Sequence, residues 1–104
     1  MKKVLCIGSV TTDVIIKPVD ALPTPGELQF IDSSSMFVGG CASNASIDLA
    51  KLGVPVSLCV KLGKDLFGRF VYDTCKDAGV DVRGCVMDEN VQTTTSIVCV
   101  NSEG

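Results

Sequence analysis

Gly39-Gly40-Cys41-Ala42-Ser43-Asn44 stands between a strand-like stretch and a run of helical period, and its reading decides the fold. Glycines let a backbone approach a ligand more closely than any side chain permits. The first turn of a helix offers free N–H groups and a field that favours oxygen-rich or anionic ligands. A glycine pair with an amide side chain in that turn therefore reads as a platform for a small molecule. The competing reading is a tight strand-to-helix turn in which glycine serves geometry only.

Downstream, Ala42, Ala45, Leu49 and Leu52 form one apolar stripe with Ser43, Asp48 and Lys51 opposite, and Gly53 marks the stop. Pro55 to Leu62 is a predicted strand in which Val56, Leu58, Val60 and Leu62 alternate. A second helix opens at Asp65, a good N-cap, and ends at Gly79. Its predicted dry stripe is Phe67, Phe70, Val71, Thr74 and Ala78; Arg69, Asp73, Lys76 and Asp77 lie on the wet face. Val80 to Met87 and the β-branched run Thr93 to Val100 read as further strands, followed by a turn at Asn101-Ser102-Glu103-Gly104.

Upstream, Val4 to Ile7 is an apolar run bounded by Gly8-Ser9, the pattern of a strand buried on both faces of a parallel sheet. Val14-Ile15-Ile16 is a short β-prone run closed by Pro18, and Leu22-Pro23-Thr24-Pro25-Gly26 imposes a turn. Glu27 to Val38 alternates weakly, as strands with one wet face do. The order predicts an α/β unit with parallel core strands and a separate patch of half-exposed strands. A terminal turn with no hairpin partner predicts the N-terminal part of a larger fold.

With 104 residues the chain is one small domain, and a 46% apolar share is high enough to expect burial against something beyond it. A net charge of −3, a pI near 4.7 and the lack of a basic patch argue against nucleic acid and anionic membrane as partners. Lys2-Lys3 and the short run after it do not make a secretory leader, and no stretch has the length of a membrane span. A cytoplasmic protein is expected. The six cysteines include no CxxC pair and the chain has no His, which argues against common zinc patterns. Most lie in apolar runs, so buried thiols in a reducing compartment are expected, not a disulfide framework.

Two further stretches are candidates for chemistry. Asp13 falls just past the first strand, where α/β sheets place their ligands; its carboxylate suits a polyol, although taken alone an Asp there more often satisfies local turn amides. In Gly63-Lys64-Asp65-Leu66-Phe67-Gly68, Gly68 reads as a close-packing position and Lys64 as solvated. Gly8 lacks the further glycines of a dinucleotide fingerprint, and Gly63-Lys64 is followed by Asp65, which excludes a P-loop.

The run Gly39 to Ser46, then six residues to Gly53 and nine to Gly63, resembles the N-terminal signature of the ribokinase-like (PfkB) carbohydrate kinases. The opening strand with Gly8-Ser9 and Asp13, the Pro23-Thr24-Pro25-Gly26-Glu27 turn, Gly63-x-Asp65-x-x-Gly68 and Thr93-Thr94-Thr95 agree in order and spacing. The resemblance extends over residues 1–104. It implies an α/β/α sandwich with a small β-sheet lid, whose strands fall near 14–17, 27–38 and 93–100. It implies ATP- and Mg²⁺-dependent phosphorylation of a hydroxymethyl group of a sugar or nucleoside. Asp13, Gly39, Gly40 and Asn44 match the positions that bind the sugar. Thr11 stands where several sugar-specific members carry Asn, so the particular sugar stays open.

The family's second signature, a Gly-rich helix start ending in the catalytic Asp, does not occur in this sequence. The expectation is therefore a substrate-binding part with its lid, from a truncated product that is inactive alone and whose nucleotide site lies mostly outside it. Half-exposed lid strands also suit a homodimer. The alternative is a non-catalytic module that binds a sugar or a partner. A nucleotide-binding oxidoreductase fragment is disfavoured by the missing dinucleotide fingerprint.

Overall fold

The alternation from Val56 to Leu62 builds the centre of the molecule, which the computed structural model describes over residues 2–104. Val56, Leu58, Val60 and Leu62 all point into the core, as the period-2 pattern requires. This stretch forms two consecutive strands, since its two halves have different partners. The first half, β4 (Val56–Cys59), pairs in parallel with β1 (Val4–Ile7). The second half, β5 (Lys61–Gly63), pairs in parallel with β6 (Val86–Asp88). The expected strand over Val80 to Met87 is thus interrupted. Its separation from the partner strand is 24 at Ser57–Asp81 and 25 at Lys61–Val86, so one extra residue is accommodated in the turn between them.

Two helices cover one face of this layer: α1 (Cys41–Lys51) and α2 (Leu66–Asp77). Their core contacts include Ala42, Val71 and Cys75, and burial pushes the Cys75 thiol up to about 11. The dry face of α1 differs from the hydrophobic stripe. Ser43 and Ser46 are fully buried, whereas Ala45 and Leu52 are exposed. Ser43 Oγ donates to the Gly39 carbonyl (2.5 Å) and Ser46 Oγ to the Ser43 carbonyl (2.8 Å), so each hydroxyl is satisfied one turn back. On α2, Gly68, Val71 and Cys75 are the buried residues, with Phe67 exposed and Phe70, Thr74 and Ala78 half-buried.

Both helices stop where expected. The N–H groups of Gly53 and Val54 bond the carbonyls of Ala50 and Leu49, and those of Gly79 and Val80 bond Lys76 and Cys75, all at 3.0 Å. Positive φ angles of 82° at Gly53 and 97° at Gly79 complete two Schellman motifs.

The opposite face of the layer corrects the expectation for β1. Leu5 and Ile7 are 58% and 69% exposed, because both helices of this chain lie on the other side. The thiols need correction too. All six are free, but only Cys75 is fully buried; Cys6, Cys59 and Cys85 are half-buried and Cys41 and Cys99 exposed.

A second sheet stands beside this layer, in the order β3-β2-β7. The central strand β2 (Thr11–Lys17) pairs antiparallel with β3 (Ser33–Gly39) and parallel with β7 (Thr95–Cys99). Residues 27–32, expected as strand, are irregular and mostly exposed. Pro18, just past Lys17, has no N–H to donate, so the β2–β3 ladder ends at Lys17–Ser33 with a last bond from the Asp32 N–H to the Lys17 carbonyl (2.9 Å). The radius of gyration is 16.1 Å, against about 13 Å for a compact chain of this length, because the three-stranded sheet projects from the layer.

Candidate functional site

The expected lid strand at 14–17 begins three residues earlier, at Thr11. Thr11 and Asp13 are therefore part of β2 and, two residues apart, share one of its faces. Antiparallel register sets Thr11 against Gly39 and Asp13 against Phe37. Thr11 Oγ1 donates to Asp13 Oδ1 at 2.7 Å. Among the described residues Asp13 Oδ2 has no such donor, and it lies over the bare backbone of Gly39. A Cβ at Gly39 would overlap Asp13 Oδ2 and sit 2.5 Å from Thr11 Oγ1. The first glycine thus leaves room for two polar side chains.

The second glycine turns the chain into α1. Gly40 is the N-cap with φ 94° and ψ 147°, a region that L-residues avoid, and a Cβ there would lie 2.5 Å from the Ser9 carbonyl. Gly40 has no side chain to cap α1, and the first turn carries no acidic residue. Ser9 supplies two acceptors instead: its Oγ accepts from the Cys41 N–H and its carbonyl from the Ala42 N–H, each at 3.3 Å. These bonds are long, so the helix start is only loosely satisfied. The Asn44 N–H bonds the Gly40 carbonyl at 3.0 Å, and the Asn44 side chain is exposed on the first turn.

Of the residues singled out from the sequence, the structure brings Thr11, Asp13 and Gly39 into one cluster. Gly40 is joined to them by the chain, but Ser9 occupies the space beside it. Asn44 has no hydrogen bond to Asp13. Ser9 and Ser43 were missed as parts of the turn. Ser43 Oγ reaches the carbonyls of both Gly39 (2.5 Å) and Gly40 (3.2 Å), which a hydrophobicity pattern cannot reveal.

At the start of α2 the arrangement is closed. The N-cap Asp65 accepts from the Gly68 N–H (2.7 Å) and Thr93 Oγ1 (2.8 Å) with Oδ1, and from the Thr93 N–H (2.9 Å) with Oδ2. The Thr93 N–H, then the Gly68 N–H, hold this carboxyl below its ordinary range. Gly68 packs directly on Gly63, as expected for a close-packing glycine, and Lys64 is exposed. The bonds to Thr93 have no signal in the local sequence.

Among the described residues, no group of three or more His, Cys, Asp and Glu could hold a metal ion, and no helix is long and apolar enough to cross a membrane.

A parallel α/β layer bearing a separate three-stranded sheet, with a Gly-Gly helix start beside a carboxylate-bearing strand, defines a ribokinase-like fold. Over residues 1–104 it matches the pfkB family carbohydrate kinase description, and the chain belongs to that family. Fructokinase-2 of Oryza sativa subsp. japonica is 35% identical over 66 residues, 64% of this chain and 20% of the relative. The ATP-dependent ribose-1-phosphate kinase of Halopiger xanaduensis is 34% identical over 104 residues, all of this chain and 35% of the relative. The crystal structure of a fructokinase with bound ATP from Xylella fastidiosa aligns with a TM-score of 0.77 at 28% identity, covering 92% of this chain and 29% of that one. The chain thus spans between a fifth and about a third of the length of these relatives.

Proposed function

We propose that this chain supplies the acceptor-binding part and lid of a kinase that transfers phosphate from ATP to a hydroxymethyl group of a sugar, related polyol or nucleoside. The observation that carries the reading is the Thr11–Asp13–Gly39 cluster. One carboxylate oxygen is oriented by Thr11 and the other faces open backbone. A free carboxylate oxygen accepts hydrogen bonds from acceptor hydroxyls, and the charge makes each stronger than a neutral pair. Gly39 leaves space for the acceptor. Gly40 and the loosely bonded start of α1 bring the backbone close to it, and the exposed Asn44 amide offers both a donor and an acceptor. The three-stranded sheet shields this region from water, which suppresses transfer of phosphate to water.

The reading puts ATP, Mg²⁺ and the base that takes the proton from the attacking hydroxyl on residues beyond these 104. Met36 and Ile97 leave apolar surface exposed on the lid face away from Asp13, and a second copy covering that face is part of the proposal.

The test uses the product of the whole open reading frame with ATP, Mg²⁺ and a panel of ketoses, aldoses and nucleosides. One acceptor class is turned over. Asp13→Ala then raises the acceptor KM about a hundredfold, equivalent to losing about 3 kcal/mol of charged hydrogen bonding. An unchanged acceptor KM in Asp13→Ala removes the role assigned to Asp13. No turnover of any acceptor favours the non-catalytic binding module instead.

A further inference from the structure

Between Thr11 and Asp13 lies Thr12, whose side chain points to the other face of β2. It is fully buried, and its hydroxyl donates to the Phe67 carbonyl in the first turn of α2 (3.1 Å). Its N–H bonds the Thr94 carbonyl at 2.9 Å, just where the chain enters β7. One residue before that point, Thr93 is 6% exposed and places both its N–H and its hydroxyl on the Asp65 carboxylate. The Gly63 N–H in turn donates to Thr93 Oγ1 at 2.9 Å. A single helical turn thus holds both β2 and β7 at their bases.

Neither hydroxyl is needed to form a strand or a helix. Valine has the same shape and a higher strand preference, so threonine at two buried positions is explained by the bonds it makes. Buried, fully satisfied polar contacts specify one geometry where apolar packing tolerates several.

We propose that the first turn of α2 positions the candidate acceptor site. Asp65 holds β7 through Thr93, and the Phe67 carbonyl holds β2 through Thr12. Together they set the strand that carries Thr11 and Asp13 above the start of α1. Thr12, Thr93 and Asp65 are positioning residues: they touch no acceptor and act through Asp13. The functional consequence rests on the acceptor-binding reading of Asp13, but the mechanical coupling does not.

The test compares Thr12→Val and Thr93→Val with Thr12→Ser and Thr93→Ser in the product of the whole open reading frame. Backbone amide exchange is followed over residues 11–17 and 95–99, with exchange in β4 as the internal reference. The valine variants are expected to speed exchange in β2 and β7 at least tenfold while leaving β4 unchanged. They raise the acceptor KM about tenfold, with little change in kcat or in the KM for ATP, and serine restores both readouts. Wild-type exchange in both valine variants overturns the coupling. Faster exchange with an unchanged acceptor KM reduces the contacts to a structural role and also overturns the proposal. If Asp13→Ala leaves acceptor binding intact, the acceptor reading fails, and the exchange data alone then decide whether α2 holds the strands. Should a valine variant fail to fold, Asp65→Asn replaces it: it leaves the helix capped but disturbs the Thr93 contact, and the same two readouts apply.

Discussion

The two helices end alike and begin in opposite ways. Both C-termini close with a glycine in a Schellman motif. The start of α2 is sealed by Asp65, whose carboxylate takes three donors from Gly68 and Thr93. The start of α1 has a glycine N-cap with no side chain of its own, 3.3 Å bonds from its first two N–H groups to Ser9, and an exposed Asn44. Capping stabilises a helix by satisfying its first N–H groups, and it also fills the space where a ligand would sit. The contrast teaches that α2 seals its N-terminus with its own N-cap side chain, whereas α1 relies on long bonds to Ser9 and leaves the Asn44 side chain exposed.

The largest effect that tests this contrast is at Gly40. Gly40→Ala introduces a Cβ against the Ser9 carbonyl at a φ of 94°, and the backbone strain and overpacking together cost about 3–4 kcal/mol. Urea unfolding measures it, and a loss below 1 kcal/mol shows that the turn relaxes and does not require glycine.

Next in size is Asp65→Ala, which removes a cap and leaves the Thr93 N–H and hydroxyl without their partner. The expected loss is about 2–3 kcal/mol in the same unfolding experiment. A loss no greater than that of an ordinary surface substitution, about 0.5 kcal/mol, makes the two N-termini equivalent and breaks the comparison.

A pH series isolates the carboxylate. The folded-state pKa of Asp65 is depressed, so its contribution is complete above the unfolded value of about 4 and is lost as pH falls below it through the folded value. The stability gap between wild type and Asp65→Asn therefore narrows on acidification from pH 5 toward pH 2. A gap that is constant or widens contradicts the assignment.

The smallest effect completes the contrast. Asn44→Ala leaves unfolding stability within about 0.5 kcal/mol, because the side chain is exposed. It raises the acceptor KM about tenfold, as loss of one hydrogen bond of about 1.4 kcal/mol requires. A stability loss comparable to that of Asp65→Ala shows that Asn44 serves the helix and not an acceptor.

Much of this molecule is legible in its sequence, and the legible parts share a cause. Asp65 as an N-cap, Gly53 and Gly79 as stops, and the alternation from Val56 to Leu62 depend on backbone chemistry within a few residues. The errors share a cause as well. Polarity alone puts Ser43 on the wet face of α1, but its hydroxyl bonds back to Gly39 and the side chain is buried. Propensity alone marks residues 27–32 as strand, but Pro18 ends the neighbouring ladder. An apolar run at Val4–Ile7 implies cover on both faces, but it does not reveal which side the helices take.

The same division holds at the candidate site. Sequence alone determined the glycine pair, the helix that follows it, Asp13 as a carboxylate near a ligand position, and the spacing that links the chain to its family. Tertiary structure alone decided that Thr11 and Asp13 lie on one strand against Gly39, and that α2 grips that strand at Thr12 and its neighbour at Thr93. Those contacts join residues 26 to 55 positions apart in the chain. Caps, stops and alternation are settled by nearest neighbours along the chain. A hydrogen bond across such a separation exists only once the sheets and helices have packed.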